Sequence, residues 1–402
     1  MHSLEEVRAR ILARLAPLPT EDLPLAAAAG RWLARPIFAP ADLPDEDRSS
    51  VDGYAVRMSD AGHATPEQPV RLPVAAPTPQ GECFAGNLPD GCCVRVSAGA
   101  CLPKGADAVV ERAAVRLLPP EENVCEIAGP VRPWQHVRWR AGDYRARTQV
   151  LPTGARLTSA RLLLLSAFGI ARVEVGRRPR LALLAAGVEP EGGERTSASA
   201  GVFECNRQAA AALLELAGVE PRLYPLFCPG EKALRHQLAA ALAENDGALL
   251  FDGVSGDCRH WGEAFLAERD IAYEAWSLAV KPGFEVAFGA GRGQWLFGLP
   301  SDPISAWLAC LLLVRPAMLH CQGAGDPELP AFPGRLAEPL TNNGGRRHYV
   351  RVAAEPDGTV RPAMASGTHG LSAMATANGL VEVPPHTTFA QGRLVQVRRW
   401  DV

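Results

Sequence analysis

Three loops hold most of the residues in this 402-residue sequence whose types and spacing suit chemistry. They are "AAGVEPEGGE" at 185–194, "FDGVSGDCRHW" at 251–261 and "GLPSDPISA" at 298–306. Each falls at the end of an apolar run that reads as a strand. In the second, a buried strand, a glycine loop and a helix start give the usual anion-binding layout. It also carries Asp252 and Asp257, where an anion would prefer neutral donors. His260 in that loop reads either as a metal ligand beside those carboxylates or as a solvent-facing histidine. In the third loop Ser301 or Asp302 is placed to cap a helix whose first turn takes Pro303. Its amides from Ile304 onward either serve an ordinary capped helix or favour an anion in a crevice. Lys281 precedes Pro-Gly in "LAVKPGFEVAFG" (279–290), as a solvated turn residue or an oxyanion ligand. Far upstream, "SSVDGYAVR" (49–57) sets Asp52 in a turn before a strand, which turn chemistry alone explains. Trp134, Trp139 and Trp261 suit either stacking on a planar ring or packing at domain junctions.

These loops need a scaffold. Over 178–320 the pattern alternates strand and helix, which predicts a doubly wound α/β unit with a parallel sheet and ligands at the strands' carboxyl ends. From about 44 to 141, short β-branched segments between Pro and Gly turns predict a small β domain. Residues 3–16 have helical spacing at Leu4, Val7, Ile11, Leu12 and Leu15, and "PLAAAAGRWLARPI" reads as a second short helix. Helical pattern returns near 159–170, and 333–402 reads as short strands again.

The bulk numbers narrow the function classes. A chain of 402 residues is too long for one core, and an apolar fraction of 47% suits a folded protein. A net charge of −3 and a pI near 6.3 give no general attraction to nucleic acid or acidic membranes. Any anion must be held by local cations and amides. Ten cysteines without a CxxC pair are expected to be reduced thiols. "MHSLEEVRARILARL" is not expected to be a signal peptide. "AWLACLLLV", interrupted by Arg315 and Pro316, is expected to be too short to span a bilayer. The expected location is cytoplasmic.

Composition and periodicity stop there, and an ordered set of motifs goes further. "SSVDGYAVR", "VRVSAGACLPKGADAVV", "VRWRAGDY", "KPGFEVAFG", "GLPSDPISA", "RRHYVR" and "LSAMATANGLVEVP" resemble, in order, segments of the molybdopterin molybdenumtransferase (MoeA) family, similar also to the C-terminal domain of gephyrin. The resemblance runs over nearly the whole chain. It implies a helical and linker part (1–43 with 142–177), an inserted β domain (44–141), a molybdopterin-binding α/β domain (178–328) and a C-terminal β-barrel (329–402). It implies insertion of molybdate into adenylylated molybdopterin with release of AMP, helped by Mg²⁺. It implies a homodimer whose cleft joins the α/β domain of one subunit to the "DGYA" part of the other. Molybdopterin adenylyltransferase and molybdoenzyme maturation proteins are the expected partners. Matching positions give Asp52, Asp143, Glu189 and Asp246 as catalytic acids. Lys281, Ser255, Pro300, Ser305, Arg346, Arg351 and Ser372 match molybdate and pterin ligands. Asp52 and Glu189, with His260, are the metal-ligand candidates.

Departures from the motifs cluster at the loops. The family's STGDEL is "AAGVEP", SSGGVS is "LFDGVS", KPGKP is "KPGFE" and GLPGNP is "GLPSDP". Asp252, Glu285 and Asp302 add acids to an anion pocket, and Phe284 replaces a cation. Losing two hydrogen bonds to a charged group would weaken anion binding on the order of 10²–10⁴-fold. Two readings follow: a molybdenum-inserting enzyme with an altered site, or an impaired paralogue that binds molybdopterin or a partner.

Overall fold

The computed structural model describes residues 1–75, 84, 86–118, 123–185, 197–225, 230–254, 256–363 and 370–401. Glu189 and Ser255 lie outside the described residues. The chain divides into two compact units, Met1–Arg35 with Thr153–Leu162 and Ala171–Val402, and Pro36–Pro152 with Leu163–Ile170.

In the first unit the apolar runs become a six-stranded sheet in the order Glu220–Leu223, Arg180–Ala185, Gly247–Phe251, Gln294–Leu299, Glu285–Gly291, Glu274–Ser277. The first four strands are parallel, as expected. The last two form an antiparallel edge that the sequence pattern did not reveal. Alternate residues face opposite layers. Leu181, Leu183, Leu249 and Phe251 join a core with the helices Ser197–Leu216 and Pro303–Ala309. Ala182, Leu184 and Leu250 join a second core with helices Glu231–Glu244 and Gly256–Ala267. The sheet is therefore covered on both faces.

Pro316 does not end the helix that starts at Pro303. A π-turn at Cys310–Val314 leads into Arg315–Cys321, where Pro316 sits in a first-turn position that needs no N–H donor. The continuous stretch Pro303–Cys321 is long and apolar enough to cross a membrane, contrary to expectation, but 83% of that window is buried inside the chain.

The N-terminal helix Leu4–Ala13 is capped by Ser3, whose Oγ accepts the Glu6 N–H at 3.1 Å. The second short helix read in "PLAAAAGRWLARPI" is only the 3₁₀ turn Leu25–Ala27, before the strand Ile37–Phe38. Gly30, at φ +75°, and Pro36 break the run.

In 331–399, five strands close a barrel in the cyclic order Arg347–Ala354, Thr359–Pro362, Ala331–Leu336, Leu394–Arg399, Gly379–Val383. Val280–Lys281 adds in parallel at the Arg347 end of the barrel. The second unit has two three-stranded sheets, Val94–Val96 with Gly53–Val56 and Ala108–Glu111, and Val70–Pro73 with Val124–Ile127 and Val115–Leu117. Cys92, Cys93, Cys125, Cys205, Cys258, Cys310 and Cys321 are free thiols, whereas Cys101 is disulfide-bonded, against the expectation of reduced thiols.

Candidate functional site

The carboxyl ends of the four parallel strands carry the loops, as the α/β pattern requires. After Gln294–Leu299 comes Pro300, and Asp302 then caps the helix by accepting the Ser305 N–H at 2.9 Å. The amide expected to receive a ligand is thus already bonded to a carboxylate. Ser305 is buried in the first turn. Asn206, buried on the helix Ser197–Leu216, donates to the Ser301 carbonyl at 2.8 Å and fixes this loop from below. Nothing in its sequence context signalled that role.

The loop after Gly247–Phe251 is short. Asp252 holds φ +65°, which accounts for glycine in the family motif, since few side chains tolerate that region. Tyr273 donates to the Gly253 carbonyl at 3.2 Å, and a Cβ on Gly298 would lie 2.0 Å from the Tyr273 hydroxyl. Glycine is thus required where the second and third loops come together. The helix begins at Gly256, earlier than expected, so His260 and Trp261 are helical. His260 is 77% exposed, and its nearest carboxylate is Glu263 at 4.0 Å. The metal-ligand assignment of His260 is therefore corrected: the helix turns it to solvent. Trp261 packs against the core between the sheet and its helices.

Lys281, Arg346 and Arg351 come together at one end of the barrel. Lys281 is the register partner of His348 in the parallel pair Val280–Lys281 and Arg347–His348. The Arg346 guanidinium lies against Gly283, where an added Cβ would meet Nη1 at 2.6 Å. Arg351, 8% exposed, donates to the Gly370 carbonyl at 3.1 Å, just before the 3₁₀ turn Leu371–Ala375 that carries exposed Ser372. Burial lowers the proton affinity of Arg351, and the negative charge of Asp302 works in the opposite direction. The helix cap, barrel strand and Ser372 turn therefore share one charge cluster. Neither Lys281 nor Arg346 has a side-chain hydrogen bond or a carboxylate partner among the described residues. His348 sits among these cations as a neutral imidazole. Burial above all, then Lys281 and Arg351, pull its pKa down to about 4. Its Nδ1 is buried without a hydrogen-bond partner among the described residues. Sequence reading passed over His348, although "RRHYVR" places it where the family motif has an acid.

The added acids are mostly accounted for. Glu285 accepts a hydrogen bond from Ser277 Oγ on the outer strand of the sheet. Phe284, expected to occupy a lost cation's place in the pocket, is buried in the core. Asp302 alone is shown among the cations, and it serves as the cap.

Asp246 is not at the loop edge. It precedes Gly247–Phe251 at the opposite end of the sheet. There it binds the Arg177 guanidinium through both oxygens, at 3.0 and 2.5 Å, and accepts the Arg180 N–H at 2.8 Å. Its expected catalytic part is corrected to a structural one, because its carboxylate ties the start of this strand to the 177–180 segment at the edge opposite the loops. Asp52 and Asp143 belong to the second unit. Asp52 Oδ1 accepts the Ala98 N–H at 2.8 Å, and Asp143 pairs with Arg138 at 2.9 Å. Asp143 also lines a cavity of about 580 Å³ with Asp42, Asp45, Arg48 and Phe168. Among the described residues no three His, Cys, Asp or Glu side chains gather to hold a metal ion. Of the two implied Mg²⁺ carboxylates, Asp52 is exposed with one oxygen engaged by the Ala98 N–H, and Glu189 lies outside the described residues.

A doubly wound α/β domain with a cationic cluster at its loop edge, joined to a closed barrel, defines an oxyanion-handling protein of several domains. Residues 2–169 match the MoeA N-terminal region (domain I and II), and 333–400 match the MoeA C-terminal region (domain IV). A molybdopterin molybdenumtransferase of Haemophilus influenzae is 32% identical, with 94% of this chain and 93% of that one covered. One from Nostoc sp. is 31% identical over 92% and 86%. The crystal structure of the molybdopterin biosynthesis moeA protein from Pyrococcus horikoshii OT3 superposes with a TM-score of 0.81 at 25% identity, covering 99% of each chain. The chain belongs to the molybdopterin molybdenumtransferase (MoeA) family.

Proposed function

We propose that this chain is a molybdopterin molybdenumtransferase in molybdenum cofactor biosynthesis, which inserts molybdate into adenylylated molybdopterin and releases AMP. The observation that carries the reading is Lys281, set opposite neutral His348 and close to Arg351, with no carboxylate of its own among the described residues. Such a cation is left to meet an external anion. Molybdate is a dianion, and Lys281, Arg346 and Arg351 supply the charge to hold it, while buried Ser305 and exposed Ser372 supply hydroxyls. Pro300 shapes the loop beside them. Asp302 offsets part of this field, held as the helix cap beside Arg351, and the three cations still outnumber it. Glu285 and Phe284 are engaged elsewhere, so these two departures do not speak for the impaired-paralogue reading. Asp52 and Asp143 are proposed as the acidic groups that meet the substrate from the second unit, in a homodimer in the cytoplasm, with molybdopterin adenylyltransferase and molybdoenzyme maturation proteins as partners.

The test is cofactor reconstitution in cells lacking their own molybdenumtransferase. The wild-type chain is expected to restore molybdoenzyme activity. Lys281→Ala is expected to reduce it by about 10- to 100-fold, the loss of one charged hydrogen bond, with unchanged thermal stability. Absence of rescue by well-folded wild-type protein would overturn the proposal.

A further inference from the structure

Two tryptophans of the second unit stand in solvent, Trp134 at 45% and Trp139 at 58% exposure. Their rings meet edge to face, with centroids 5.9 Å apart and planes at 65°. A paired, exposed display of the largest apolar side chain is the informative kind of surface. The backbone is committed to it. Trp134 and His136 hold φ of +58° and +55°, a region that bulky side chains avoid. Three hydrogen bonds fix the segment: the Trp134 N–H to the Asp107 carbonyl at 2.7 Å, and the Ser50 N–H and Oγ–H to the His136 carbonyl at 2.9 and 3.0 Å. Between the two indoles, Val137–Arg138 pairs with Arg48–Ser49, just upstream of Asp52.

Charge and hydrogen-bonding chemistry narrow the occupant. Residues 132–147 contain Arg132, Arg138, Arg140, Arg145 and Arg147 against Asp143 alone, in a chain whose net charge is −3. Arg138 and Arg140 are paired, with Asp143 and Asp42. Arg132, Arg145 and Arg147 have no ion pair among the described residues. The segment that carries the two indoles is thus rich in cations, a composition that suits a planar aromatic anion. Two exposed carboxylates, Asp52 and Asp143, belong to the same framework, and each has one oxygen engaged by a neighbour. A pterin presents an N3–H and a 2-amino group side by side, two donors that match a carboxylate. Adenine presents one donor beside an acceptor, a poorer match.

We propose that Trp134 and Trp139 form the stacking platform for the pterin ring of the substrate, with the unpaired arginines facing its phosphate. This rests on the reaction proposed above and assigns its substrate a surface on this chain.

The experiment titrates full-length protein with pterin-6-carboxylate and, separately, with AMP, following heat and tryptophan fluorescence. The wild type is expected to bind pterin-6-carboxylate. The double variant Trp134→Ala/Trp139→Ala is expected to bind it about 10-fold or more weakly, the loss of an aromatic stacking contact. The double Phe variant is expected to stay within about threefold of wild type, because a ring remains. Melting temperature and sedimentation are expected to match wild type in both, since the side chains are exposed. Unchanged pterin binding in the double Ala variant would overturn the proposal. So would a loss confined to AMP, or a changed association state, which would make the pair a contact between copies of the chain. Binding is read without turnover, so these results stand apart from the Lys281→Ala reconstitution. If that variant fails as expected while the double Ala variant binds normally, the platform falls and the reaction stands.

Discussion

His348 is neutral because burial and two neighbouring cations make a third charge costly. Its folded pKa lies near 4, against about 6.5 in an unfolded chain. Above pH 6.5 the imidazole is neutral in both states and adds no pH dependence. Between pH 6.5 and 4 the unfolded chain binds the proton and the folded one does not, so stability falls as pH drops through that window. His348→Gln is expected to remove that slope. The wild-type minus variant difference in unfolding free energy should decline by on the order of 2–3 kcal/mol from pH 7 to pH 4. Parallel denaturant titrations measure it, and superimposable pH profiles would refute the assignment. Asp246 makes the opposite point about what a sequence shows. Its match to an acidic motif position was legible, but its place at the far edge of the sheet was not, because a strand's first residue and its last look alike in composition. Asp246→Ala is expected to cost about 1.5–3 kcal/mol, read as a fall in melting temperature, since it removes charged hydrogen bonds to Arg177 and Arg180. Folded Asp246→Ala protein should keep its turnover per molecule.

At the scale of elements, the helix starting at Pro303 joins stability to anion handling. Its cap is a carboxylate, and the same carboxylate faces Arg351. Asp302→Asn keeps an oxygen acceptor for the Ser305 N–H and deletes the charge. The cap itself is expected to change by only a few tenths of a kcal/mol, because the two residues cap about equally well, while half-compensated Arg351 loses its nearby negative charge. Molybdate should bind roughly three- to tenfold more tightly, through removal of one nearby negative charge. Asp302→Ala gains the same charge relief but loses the cap, about 1 kcal/mol. Calorimetric titration with molybdate and thermal melts of both variants separate the two effects. The cap was visible in the sequence because Asp, Pro and an apolar run leave a local signature. The antiparallel strands Glu274–Ser277 and Glu285–Gly291 were not, because their partners are fixed by long-range pairing. The π-turn before Pro316 was hidden as well. Pro within a helical pattern ordinarily signals a stop, and only the changed hydrogen-bond register shows why it does not here.

At the scale of the molecule, the alternation over 178–320 was enough to predict a doubly wound sheet, because periodicity records burial on both faces. The closed barrel came from motif order rather than periodicity, since short strands carry too few residues to fix their pairing. The proposed catalytic residues fall in both compact units, with Asp52 and Asp143 in one and Lys281, Arg346 and Arg351 in the other. The proposed homodimer gives this division a direct test. Suppose each working site takes Asp52 from one subunit and Lys281 from its partner. Then Asp52→Ala and Lys281→Ala homodimers are each strongly impaired, because every site lacks one group. Unfolding and refolding the two variants together at equal amounts makes half the dimers mixed, and each mixed dimer holds one intact site of two. Activity should therefore recover to about a quarter of wild type. If both residues serve one site within a single chain, no mixed dimer holds an intact site and activity stays at the residual level of the homodimers. Recovery near a quarter supports the shared site, whereas none, in a mixture shown by mass to contain mixed dimers, removes it.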